Sequence, residues 1–172
     1  MCNLDILASG GQGLLEYKIV ITTPGDYQLQ WRSFITDKKF GICQETTEHN
    51  DSWARMLDPS GASMVAGPVP GGARDGIPDQ AGGNWYKVYS NARLNWSWDA
   101  KNQDHAPLAL YWSLKPGTYT FQVSARSAGH AIDRILLWNR NGATSYGSKT
   151  AGGGTASVCN AAPLSTITLN AP

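Results

Sequence analysis

What this chain lacks narrows its reading before any motif does. No segment of three turns carries apolar residues at i, i+3, i+4 and i+7 without an interrupting glycine or proline, so the chain reads as all-β. No apolar run approaches the roughly 20 residues that a membrane-crossing helix needs, and no basic segment followed by an apolar one opens the sequence. The expectation is a soluble domain without a membrane partner; if the natural protein is secreted, its targeting peptide was removed. Net charge is scarce as well, with 14 Lys and Arg against 13 Asp and Glu leaving +1. The broad attraction that drives non-specific nucleic-acid binding is therefore missing, and any anionic partner must be met by a local cluster. Cys2, Cys43 and Cys159 are too few for a disulfide scaffold and too scattered for a zinc site. Absence of a Gly-x-Ser-x-Gly elbow, of His-Glu-x-x-His, of a phosphate loop and of a nucleotide fingerprint removes the common hydrolase, metalloprotease and nucleotide-dependent classes.

What is present is alternation. From Thr118 to Ala125, Tyr119, Phe121 and Val123 are apolar while Thr118, Thr120, Gln122 and Ser124 are polar, which is the pattern of a strand with one buried face, expected over Thr118–Arg126. Ile132, Ile135, Leu136 and Leu137 form a second apolar run, so the chain turns back between Arg126 and Asp133. The remaining strands are expected at Leu14–Thr22, Asp26–Ile35, Trp53–Leu57, Trp85–Ser90, Leu108–Ser113 and Pro163–Leu169. Pro24-Gly25 and Pro116-Gly117 precede two similar strands, where proline presets one turn dihedral and glycine is expected to accept a positive φ. A length of 172 residues suits one domain spanning 1–172, with irregular Gly-rich loops at 58–84 and 141–157.

The run Pro116-Gly-Thr-Tyr-Thr-Phe121, followed by Ser127, Gly129 and His130 and by Ile132-Asp-Arg-Ile-Leu-Leu137, resembles the final hairpin of galactose-binding-like jelly rolls. Leu15 to Arg32 is similar to an early hairpin of the same modules. These are the β-sandwich carbohydrate-binding modules appended to polysaccharide-degrading enzymes. The resemblance covers residues 10 to 140 and implies an antiparallel β-sandwich of jelly-roll type. It further implies a polysaccharide or oligosaccharide partner, a catalytic domain elsewhere in the parent protein, and an extracellular or cell-surface location. Because jelly-roll termini lie on neighbouring strands, a Cys2–Cys159 bridge is expected, with Cys43–Cys159 and three reduced thiols as the competing readings.

Seven tryptophans in one modest domain suit sugar recognition. The C–H faces of pyranose rings are apolar and stack on a flat indole, while the hydroxyls need polar side chains to replace lost water. Trp31, Trp112, Trp85 and Trp138 are assigned to structure, whereas for Trp53, Trp96 and Trp98 ligand contact and packing weigh equally. Within Asn95-Trp-Ser-Trp-Asp99 the two indoles share a face if the segment is extended.

Glu48, His49, Asn50 and Asp51 before Trp53 form the densest polar cluster, the mixture a sugar cleft requires. Structural calcium is the competing reading of those oxygens, although the spacing matches no twelve-residue calcium loop; a solvated turn is the third. Arg32 and Arg126 favour an acidic polysaccharide over a neutral one by forking onto its carboxylates, with an internal salt bridge expected for one of them. His130 is expected in an exposed cleft, and Asp133 is expected to orient Arg126 or the turn backbone. The site expected from sequence is therefore Arg32, Glu48, Asn50, Asp51, Arg126 and His130 on one rim, with Trp53 or the Trp96 and Trp98 pair beside it. It is read as non-catalytic and without a cofactor. A polysaccharide hydrolase built on two of Glu45, Glu48, Asp51, Asp99 and Asp133, a lyase with His130 or His49 as base, and a protein-binding adhesive module are the alternatives.

Overall fold

The computed structural model describes residues 10–36, 50–67, 81–91, 94–102, 108–127 and 129–140. Among them there is no helix; every element is a strand, and every strand pair is antiparallel. The strands are β1 (Leu15–Ile21), β2 (Gly25–Ile35), β3 (Asp51–Leu57), β4 (Tyr86–Tyr89), β5 (Ser97–Trp98), β6 (Lys101–Asn102), β7 (Leu108–Ala109), β8 (Tyr111–Leu114), β9 (Gly117–Ser124) and β10 (His130–Asn139). They form a larger sheet in the order β1-β9-β3-β4-β6-β7 and a smaller one in the order β10-β2-β5, with β8 also paired to β2. The chain crosses between the sheets at most of its connections, so the two layers are wrapped together as an antiparallel β-sandwich.

Alternation decides which side chains fill the gap between the layers. Ile19 and Ile21 of β1, Ala54 and Met56 of β3, Tyr86 and Val88 of β4, and Tyr119, Phe121 and Val123 of β9 enter from the larger sheet. Tyr27, Leu29 and Trp31 of β2, Trp112 and Leu114 of β8 and Leu137 of β10 meet them from the smaller one. Trp112 lies at the centre, edge-on to Tyr86 at 6.4 Å and to Phe121 at 6.0 Å. Edge-to-face contacts of this kind set a positive ring edge on a negative face and add about 0.5–1.5 kcal/mol to the burial of each ring. Trp31 and Trp112 are thus core residues, as their strand positions require, and Trp85 and Trp138 are buried too.

The two Pro-Gly pairs differ from one another. Gly25 has the positive φ expected of it, 159°, whereas Gly117 does not have a positive φ. Each glycine is the first residue of its strand rather than a turn centre. Gly25 is needed for another reason: a Cβ there would run into the Asn139 amide, which donates to the Pro24 carbonyl at 3.2 Å. The described part of the 58–84 loop is exposed over 59–62 and reaches the core at Ala66. Asp58 Oδ1 caps it by accepting from the Ser60 and Ala62 amides at 2.8 and 2.9 Å. The Ala66 and Gly67 amides then donate to the Tyr86 hydroxyl and the Tyr111 carbonyl. The three cysteines, the 141–157 loop and the strand expected at 163–169 lie outside the described residues.

Candidate functional site

The outer face of the smaller sheet carries the most exposed aromatic surface among the described residues. It begins with Leu94, a non-glycine residue with a left-handed φ of 55°, whose amide donates to the Ile35 carbonyl at 3.0 Å. That conformation costs about 1–3 kcal/mol for a residue with a Cβ. It bends the chain onto the edge of β2, where Ser97 pairs with Ser33, Trp98 with Arg32, and the Asp99 amide donates to the Trp31 carbonyl. Because Ser33 faces the interior, its partner Ser97 does too, and the alternate residues Trp96 and Trp98 project outward. They are 42 % and 46 % exposed, and Leu94 before them is exposed as well.

Two residues of β2 support the indoles from the side. Phe34 packs on Trp96 with ring centroids 5.6 Å apart, and the Arg32 guanidinium lies 5.3 Å from the Trp96 centroid. Arg32 is held flat by Asp133, to whose two oxygens its Nε and one terminal nitrogen donate, the Nε bond at 2.9 Å. The hydrogen bonds that Arg32 donates hold the Asp133 carboxyl below the usual carboxylate range, and the same bonds raise the Arg32 guanidinium. Asp133 reaches this face through an irregularity in pairing: Ile132 opposes Ser33 and Arg134 opposes Arg32, leaving Asp133 as an extra residue in β10. A bulge of this kind re-aims side chains that strict alternation would send to opposite faces. Asp133 therefore orients Arg32 rather than Arg126 or the turn backbone.

The second group of expected residues sits at the start of β3 and is turned toward internal partners. Asp51 is buried and accepts from Arg126 at 2.5 Å on both oxygens and from the Ser127 hydroxyl. Arg126 lies 5.2 Å from the centroid of Trp53, which projects to the outer side of the larger sheet yet is only 2 % exposed. Asn50 is buried and donates to the Ser90 carbonyl at 2.9 Å. His130 faces inward rather than into an open cleft, 3.0 Å from the Ser52 hydroxyl and 5.6 Å from the Trp31 ring, with its Nε2 sealed from solvent. Burial pulls its pKa down to about 4, against a smaller opposing pull from the Asp51 charge, so the ring is neutral. The chemistry of this group is that of a latch: it ties the start of β3 to the β9–β10 turn.

The single rim expected from sequence is thus two places. Arg32, Trp96 and Trp98 stand together on the outer face of the smaller sheet, whereas Asn50, Asp51, Trp53, Arg126 and His130 pack at the junction of β3, β9 and β10. Glu48, with Glu45 and His49, lies outside the described residues. Phe34 was missed by sequence reasoning, although its even spacing from Arg32 in an alternating strand carried the signal. The internal salt bridge expected for one arginine is made by both, with Asp133 and Asp51. Asp99, a third carboxylate considered for catalysis, pairs with Lys101 at 3.1 Å. Among the described residues no group of three or more His, Cys, Asp and Glu side chains is arranged to hold a metal ion. No family model, curated protein or solved structure matches this chain.

Proposed function

We propose that this domain is a non-catalytic carbohydrate-binding module that takes a polysaccharide on the outer face of its smaller sheet. The observation that carries the reading is the pair Trp96 and Trp98, both more than 40 % exposed on one face of an edge strand and backed by Phe34 and the Arg32–Asp133 pair. Exposed indoles cost free energy in water, and a ligand with flat apolar faces and hydroxylated edges recovers it. Sugar rings have that shape. Asp133 and Arg32, already immobilised by one another, add oxygens and N–H groups at the border of the aromatic surface for the hydroxyls.

The size of the effect follows from area. An indole side chain carries roughly 250 Å², so the exposed 46 % of Trp98 amounts to roughly 115 Å². A sugar ring covering half of that gains ~1.4 kcal/mol at about 25 cal/mol per Å², or about tenfold in Kd. Trp98→Ala is accordingly expected to weaken binding about tenfold on a polysaccharide panel in affinity gel electrophoresis, and Trp96→Ala by a similar factor. The same panel assayed for reducing ends tests the non-catalytic part of the reading. Release of oligosaccharides by the purified domain would overturn it, and unchanged binding in both tryptophan variants would remove the proposed surface.

A further inference from the structure

Arg134 occupies a position on this face where no hydrogen bond or close ion pair with another described residue holds it. Pairing of β10 with β2 sets Arg134 opposite Arg32, and pairing of β2 with β5 sets Arg32 opposite Trp98. The three residues therefore form one cross-strand row, Arg134–Arg32–Trp98, with all three side chains on the outer side. Like charges directly opposite one another in a sheet are unfavourable, so the juxtaposition of two guanidiniums needs compensation. Asp133 supplies part of it: both of its oxygens accept hydrogen bonds from Arg32, while its charge attracts Arg134 without a hydrogen bond. Arg134 is exposed and has no hydrogen-bond or ion-pair partner among the described residues. Two guanidiniums share one carboxylate here, and one positive charge is left beside the indoles.

We infer that Arg134 is a specificity-determining residue that selects glycans with anionic substituents, carboxylate or sulfate, over their neutral counterparts. The inference rests on the carbohydrate-binding reading of the aromatic surface. It departs from the sequence-based reason for an acidic ligand, because Arg32 and Arg126, which suggested one, are both neutralised within the protein. Neighbouring strands lie about 4.8 Å apart, so Arg134 and Trp98 are about 10 Å apart along the row, enough for one ring on the indole and the acidic group of the next on the guanidinium. A planar fork of N–H groups that donates to no carboxylate among the described residues is matched to a ligand's carboxylate or sulfate oxygens. The bulge at Asp133 makes this arrangement, since it brings Asp133 and Arg134, adjacent in sequence, to the same face.

The test compares matched polymers: polygalacturonate with its fully methyl-esterified form for carboxylate, and carrageenan with agarose for sulfate. The intact domain is expected to bind the anionic member of at least one pair about tenfold more tightly at low salt, the size of one charge-assisted hydrogen bond, and the gap should narrow as NaCl is raised. Arg134→Gln should bring the two members to equal affinity while leaving the neutral one unchanged, and Trp98→Ala should weaken both. Equal binding of the two members by the intact domain, or a preference that survives Arg134→Gln, overturns the inference while leaving the aromatic surface in place. Binding of no member of either pair, nor of any polymer in the wider panel, overturns the carbohydrate reading itself and this inference with it.

Discussion

Removing the guanidinium of Arg126 should unfold this domain more readily than it alters any ligand. The Asp51 side chain is 7 % exposed and that of Arg126 18 %, and the carboxylate accepts from Arg126 and Ser127. Arg126→Ala leaves a buried carboxylate with one hydroxyl for company, and breaking a buried pair in this way costs about 3–5 kcal/mol, less what water entering the space recovers. It also removes the cation over Trp53, worth about 0.5–1 kcal/mol at a partly open site. A loss of about 3 kcal/mol is expected, a large part of the roughly 5–15 kcal/mol by which domains are stable. Asp51→Asn in the same background should restore much of it, because the orphaned charge is gone; the coupling is the quantity to measure. Urea denaturation of the single variants and the double variant, read by tryptophan fluorescence with slopes compared, gives it as a double-mutant cycle. Should Arg126→Ala instead keep its urea midpoint and lose only glycan affinity, the latch is a binding residue and its assignment here is wrong.

Acid should weaken the fold through His130. Its folded pKa of about 4 lies below the ordinary value of 6.5, so the unfolded chain binds more protons between those limits. Stability is therefore full above pH 6.5 and falls as the pH drops toward 4, by on the order of 3 kcal/mol. His130→Gln should flatten that part of the urea-midpoint profile relative to the parent; identical slopes would show that the ring is not the titrating group. Gly25→Ala should cost about 1 kcal/mol by displacing the Asn139 amide from the Pro24 carbonyl. The same change made on Asn139→Ala should cost clearly less, and strict additivity in thermal melts would contradict the contact.

The strands and the core were legible because alternation is a local property. Tyr119, Phe121 and Val123 face inward, and so do Leu29 and Trp31, because period-2 patterns admit one buried face and the apolar set must occupy it. The two-residue strand β5 was not legible as a strand, since nothing in Asn95 to Asp99 by itself specifies pairing with β2. The alternation of Leu94, Trp96 and Trp98 nevertheless carried the shared face of the two indoles.

By itself the sequence determined an antiparallel all-β domain, the faces of its longer strands and the burial of Trp31 and Trp112. Only tertiary structure decided what stands opposite each side chain. Trp53 projects outward by parity, yet Arg126 lies over it, and a parity rule has no knowledge of a neighbouring turn. Asp133 was expected beside Arg126 or the turn backbone; the bulge in β10 gave it to Arg32 and left Arg126 to Asp51. Charge pairing depends on distances of a few ångströms between strands far apart in sequence, and those distances exist only once the two sheets have packed.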